Sequence, residues 1–174
     1  MMAAAAFRGR LERLGTNIYL LWAGLAVGVA FLATPAKFLA PSLSLPVALD
    51  VGHHTFQVYN SVEVALIVSL LIAGGGSTSR RRWYLCLLAP GLVVVAQAFW
   101  LIPALDVRVA AIQAGRSHLP PSVLHRLYIT AEALKLLWLL AVGWGQMLSA
   151  SPERGSGRGP RAERTDLIQA KWNL

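Results

Sequence analysis

Val123-Leu124-His125-Arg126-Leu127-Tyr128-Ile129-Thr130-Ala131-Glu132-Ala133-Leu134-Lys135-Leu136-Leu137-Trp138-Leu139-Leu140 is an apolar run with a titratable stripe through its middle. The steps from His125 to Tyr128, Glu132 and Lys135 are three, four and three, so a helix puts all four on one face. The run extends to Leu148, enough residues to cross a hydrocarbon core of about 30 Å. A charge near the bilayer centre costs about 2.5–3.5 kcal/mol on insertion scales, so Glu132 calls for a structural or functional reason. A second apolar run, Phe56 to Ala73, carries Glu63 in the same way. Each glutamate follows a tyrosine by four positions, Tyr59 before Glu63 and Tyr128 before Glu132.

Working outward, two further runs have spanning length, Asn17 to Ala33 and Trp83 to Ile102. The expected fold class is all-α, a four-transmembrane-helix bundle with spans at about 17–33, 53–73, 83–102 and 122–148. Residues 1–15 read as a basic cytoplasmic arm, 16–148 as the membrane domain, and 149–174 as a disordered basic cytoplasmic tail. The tail's apolar Leu167, Ile168 and Trp172 are candidates to touch lipid. The 174 residues are 56% hydrophobic and 14% charged, against about a quarter charged in soluble domains. The net charge of +8 follows the positive-inside pattern. Arg8, Arg10 and Arg13 precede the first span, Arg80, Arg81 and Arg82 fill the second connection, and Arg154, Arg158, Arg161, Arg164 and Lys171 lie in the tail. Lys37, Arg108 and Arg116 fall on the other side. The partner implied is therefore the lipid bilayer and not nucleic acid, with both termini cytoplasmic (N-in/C-in). The first run reads as a signal anchor without a cleavage site. The single cysteine, Cys86, excludes an internal disulfide and Cys-x-x-Cys redox chemistry.

The two halves repeat each other. Ala30-Phe31 and Pro35-Ala36 match Ala98-Phe99 and Pro103-Ala104, and Tyr59 and Glu63 match Tyr128 and Glu132. Two parallel two-helix repeats would place the glutamates at similar depth across a pseudo-twofold axis. The matching prolines are expected to end helices one and three. Residues 38–52 read as an apolar loop broken by Pro41 and Pro46, and Leu105, Val109 and Ile112 as a separate short interfacial helix. Pro120-Pro121 should set the start of span four, with His118 solvated in the loop before it. Gly24 and Gly28 have the small-xxx-small spacing of a close helix approach.

Lipid cannot solvate polar groups, so the stripes should face inward: His53, Asn60 and Glu63 with His54 and Gln57 beside them, Gln97 and Trp100 from helix three, and His125, Tyr128, Glu132 and Lys135. Three readings of this constellation stand side by side. In the first, Lys135 neutralises Glu132 one turn away, Tyr59, Asn60 and Gln57 satisfy Glu63, and the network only fixes helix pairing in a structural or accessory membrane subunit. In the second, two carboxylates and one lysine leave a carboxyl group able to bind and release a proton, giving proton-linked transport or small-molecule binding. Histidines toward the outer face would then form a relay. Four short helices enclose little space, so this reading calls for a homodimer or a partner membrane subunit. In the third, His54 and His125 near the outer helix ends ligate haem iron or a transition metal, although no His-Glu-x2-His motif is present. A hydrolase is not supported, because Ser61 lacks a paired base and no phosphate-binding glycine loop follows a strand.

Pro41-Ser42-Leu43-Ser44-Leu45-Pro46-Val47-Ala48-Leu49-Asp50, Leu105-Asp106-Val107-Arg108 and His125-Arg126-Leu127-Tyr128 with Glu132 form a set over about residues 15–148. It resembles the four-helix bacterial membrane proteins of the transmembrane-protein-205-like kind, and is distantly similar to copper-resistance-protein-D-like membrane proteins. The resemblance implies a bacterial inner-membrane location. It also implies haem or copper handling as an alternative to an apo protein with no cofactor. His125, Tyr128 and Glu132 are the positions it carries over as site residues. The methionine clusters suited to soft copper are absent: of three methionines, Met1 and Met2 are terminal.

Overall fold

The computed structural model describes residues 2–77, 79–116 and 123–150, and among these every regular element is helical. Four helices are each long and apolar enough to cross a membrane. Helix α1 comprises Met2–Ala26, a π-helical stretch Val27–Ala33 and a last turn Thr34–Lys37. Helix α2 is Leu45–Gly74. Helix α3 comprises Arg80–Ala96, a π-helical stretch Gln97–Leu101 and Ile102–Gln113, and helix α4 is Val123–Ala150.

The helices are longer than the apolar runs. Helix α1 starts at Met2, so most of the arm expected over residues 1–15 is its first turns. The expected loop at 38–52 is helical from Leu45, because Pro46 sits in the first turn of α2, where its missing N–H costs nothing. The matching prolines do not end α1 and α3. A proline within a helix lacks an N–H and collides with the carbonyl one turn back. Here a π-helical turn immediately before each proline absorbs both effects: Thr34 N–H bonds Val29 O, and Ile102 N–H bonds Gln97 O, five residues back instead of four. Helix α3 therefore runs through Pro103 to Gln113, and the separate interfacial helix becomes its last turns. Gly115, with φ of +84°, makes the turn after it. Pro120, Pro121, His118 and the tail from residue 151 lie outside the described residues.

Each helix packs beside its sequence neighbours, and α4 closes back on α1. Thr16 Oγ1 near the start of α1 donates to Gln146 Oε1 near the end of α4 at 3.1 Å, and His53 near the start of α2 meets Asp106 near the end of α3. The order is thus up, down, up, down. Apolar side chains cover the outside: Ile72, Phe99 and Val107 are each more than 70% exposed, as lipid-facing residues would be. Trp83 locks one end. It lies against Gly15 of α1 and Gly74 of α2, meets the Tyr19 ring edge-on at 6.1 Å, and donates from Nε1 to Leu70 O at 2.8 Å. The close approach thus uses Gly15 and Gly74. The expected pair Gly24 and Gly28 would find no neighbour within 4 Å for an added Cβ.

Gly15→Ala drives a methyl into Trp83, which leans on the backbone of α2 and has little room to yield. It should destabilise the detergent-purified protein by about 1–3 kcal/mol, read as a lower midpoint in near-ultraviolet circular dichroism melts. Gly24→Ala should leave the midpoint unchanged or raise it, since helix propensity favours alanine.

Candidate functional site

The site grows from one lysine. Lys135 lies mid-helix in α4 and its side chain is fully enclosed. An ammonium has three N–H donors. Lys135 Nζ reaches Glu63 Oε1 of α2 at 2.5 Å, Glu132 Oε1 at 2.7 Å and Gln97 Oε1 of α3 at 3.0 Å. Gln97 Nε2 donates onward to Glu132 Oε1 at 2.8 Å. Trp22 Nε1 of α1 donates to Glu63 Oε1 at 2.8 Å. Every helix therefore contributes a side chain, and Glu63, Gln97, Glu132 and Lys135 are all at most 2% exposed. The Tyr59 ring lies under the ammonium at 5.5 Å from its centroid, close enough for cation–π attraction.

The satisfaction is one-sided. Each carboxylate uses only Oε1, and Glu63 Oε2 and Glu132 Oε2 are buried without a hydrogen-bond partner. The Tyr59 hydroxyl and Asn60 Nδ2 are likewise buried and unpartnered. Of the partners expected for Glu63, Gln57 is exposed, while Tyr59 lies against the carboxylate, whose Oε1 is bonded by Lys135 from across the bundle and by Trp22. Trp100, expected inside with Gln97, is 56% exposed. The turn of π-helix opened at Gln97 separates them: adding a residue to the turn rotates the downstream residues relative to the α-helical stripe. Sequence reasoning missed Trp22. A tryptophan in an apolar helix reads as lipid-facing, and only burial of its N–H reveals that it has a polar partner.

From the cluster, space opens toward the end of the bundle that carries Lys37. A cavity of about 310 Å³ touches Glu132, Ile129, Tyr128, Phe56 and Phe31. A second cavity of about 310 Å³ adjoins it, sharing Thr34, Phe38, Phe56, His125 and Tyr128, and reaches Lys37, His53, Asp106 and Arg108. Tyr128 is buried and packs edge-on against Phe56 at 4.9 Å. His53 Nδ1 pairs with Asp106 Oδ1 at 2.5 Å, so His53 serves the end of the bundle and not the Glu63 cluster. His54 is exposed, bonds Asp50 O through Nδ1, and lines a different cavity from His125, with Val29 and Tyr59. Among the described residues no three His, Cys, Asp or Glu side chains come together as a metal-holding group. The geometry adds no support to the haem and metal reading, and no step is derived through either group.

No protein-family model matches the chain, and no curated protein and no solved structure matches it.

Removing the lysine alone should be costly. Lys135→Met strands two buried carboxylates and should destabilise by about 3–5 kcal/mol, measured by thermal or denaturant unfolding in detergent. Adding Glu63→Gln and Glu132→Gln to it should restore most of that loss, because a neutral core needs no counter-charge.

Proposed function

We propose that the protein is a multi-pass inner-membrane protein in which the Glu63–Lys135–Glu132–Gln97 cluster binds and releases one proton, linked to occupancy of the adjoining cavities by a small molecule. One observation carries the reading: two carboxylates share one ammonium, which meets only Oε1 of each and leaves both Oε2 atoms buried. With all three groups ionised the cluster carries 2 − 1 = 1 net negative charge. An isolated charge of that kind inside a bilayer is expensive, and one proton on either free oxygen removes it. Access is provided by the cavity that touches Glu132. A purely structural hub is the second reading, favoured by the partners that all four helices supply.

Infrared difference spectra of the protein in nanodiscs separate the two. A protonated-carboxyl band should grow as pH falls in the unsubstituted protein. Either Glu63→Gln or Glu132→Gln alone should abolish the buried component and not halve it, since Lys135 then neutralises the remaining carboxylate. Spectra identical in all three proteins would leave only the structural hub.

The same reading has both termini and Arg80–Arg82 in the cytoplasm and the Lys37 end outside. Glu12 accepts from Ser77 Oγ at 3.3 Å, which brings the start of α1 and the arginine-rich connection to one end of the bundle. A duplicated hairpin explains the repeat. The π-helical stretches of α1 and α3 both precede a Pro-Ala pair by one residue, and both Tyr-x3-Glu motifs are buried. With Cys86 replaced by serine, Ser42→Cys should label with an impermeant maleimide in intact cells, and Arg81→Cys only after permeabilisation. The reverse pattern would invert the orientation.

A further inference from the structure

Lys37 is the last residue of α1, and its ammonium is folded into the bundle against α2. A Cβ at Gly52 would collide with Lys37 Nζ, so the glycine is what lets the ammonium sit there. The ammonium lies 5.1 Å from the Phe38 ring centroid and 6.0 Å from that of Phe56. Among the described residues it makes no ion pair. Lysines at helix ends ordinarily extend into the headgroup region, where water and lipid phosphates solvate them. This one is directed into a cavity of about 310 Å³ instead.

The cavity's charge is unbalanced. Lys37 lines it without an ion pair among the described residues, and the one carboxylate in its wall, Asp106, is bonded to His53. Beside Thr34, His53, His125 and Tyr128, the rest of the wall is apolar, including Leu45, Leu49, Leu105, Ile112 and Phe56. The adjoining cavity continues past Phe31, Phe38 and Phe56 to Glu132. The pair forms an apolar bore with cations at one end only.

We propose that this bore binds a single-chain anionic amphiphile, its carboxylate or phosphate head on Lys37 beside Arg108 and its chain along Phe38, Phe56 and Phe31. The proposal names the ligand class for the small-molecule site inferred above. It rests on that reading of the cavities, and binding of the anion is measurable whether or not the cluster takes up a proton. Each cavity is at the small end of the roughly 300–1,000 Å³ usual for ligand sites, which suits one chain and not the two of a phospholipid. A neutral ring and an apolar wall cannot replace an anion for the ammonium, whereas an anionic head supplies a charge-assisted bond.

The test uses the full chain in nanodiscs of zwitterionic lipid, with empty nanodiscs subtracted. Three fluorescent single-chain probes are titrated: a fatty acid, its methyl ester and a lysophosphatidate. Saturable binding of an anionic probe, about tenfold tighter than the ester, is expected from one charge-assisted bond. Binding of the acid alone identifies a fatty acid as the source, binding of the phosphate alone a lysophospholipid, and binding of both a site that reads head charge only. Lys37→Gln should weaken binding about tenfold, and Lys37→Arg should largely retain it. His54→Gln, on a different cavity, should change nothing. Neither anionic probe binding more tightly than the ester, or unchanged affinity in Lys37→Gln, would overturn the proposal. The infrared titration on the same samples reports separately on the cluster, so failure here and failure there are distinguishable.

Discussion

Lys135 has three N–H donors, and the bundle supplies one acceptor to each, from Glu63, Glu132 and Gln97. In lipid, helices gain little by hiding apolar faces from one another, because acyl chains are as apolar as leucine. What fixes the mutual rotation of four such helices is the demand that buried polar groups find each other. Glu63 on α2 has its counter-charge only on α4, and Trp22 on α1 has its acceptor only on α2. Rotating any one helix by a third of a turn would leave a charge or an N–H in hydrocarbon. The hub is thus a register device first, and its two spare carboxylate oxygens are what structural need alone does not account for.

The π-helical turns serve that hub. A proline in the middle of α1 or α3 would ordinarily bend the helix and expose carbonyls to lipid. Widening the turn before Pro35 and Pro103 lets both helices continue to the end of the bundle. In α3 the widened turn starts at Gln97, the residue that bridges Glu132 and Lys135, so the irregularity falls on the cluster. In α1 it ends at Ala33, just before Thr34, whose hydroxyl donates to Val29 O at 2.8 Å and whose side chain lines the cavities. Continuation of α1 by one more turn is also what delivers Lys37 to its place over Gly52.

Four spanning helices and the inward stripe Tyr128–Glu132–Lys135 are legible in the sequence, because a charge inside an apolar run has few places to go. The partners are less legible. Glu132 and Lys135 are a turn apart and read as a self-contained pair, but pairing of Lys135 with Glu63 depends on how α2 faces α4, which no local pattern encodes. A constant 3.6-residue period projected through Gln97 puts Trp100 inside, and the π-turn breaks that period. Gly24 and Gly28 match a packing motif, yet the close contacts fall at Gly15 and Gly74, where a tryptophan from α3 enters. Spacing identifies residues able to sit close; it does not identify what fills the gap. Lys37 reads only as an outer charge, since a helix-end lysine with its ammonium turned inward looks the same in sequence as one turned out.

If the bore holds an anion as proposed, it and the hub are coupled by electrostatics even without a moving part. An anion seated at Lys37 acts on a cluster whose unprotonated form is itself negative. Lys37 lies over Gly52, about 16 Å of helix away from Glu63, and unit charges that far apart at an effective dielectric constant near 20 repel by about 1 kcal/mol, several-fold in a binding constant. Protonating the cluster removes that repulsion, so anion binding favours proton uptake, and proton uptake favours anion binding by the same factor. Tyr128, buried beside Glu132 and lining both cavities, stands at the junction where ligand and cluster come nearest. On the proposed reading, linkage of proton uptake to anion binding requires no hinge or gate in this fold.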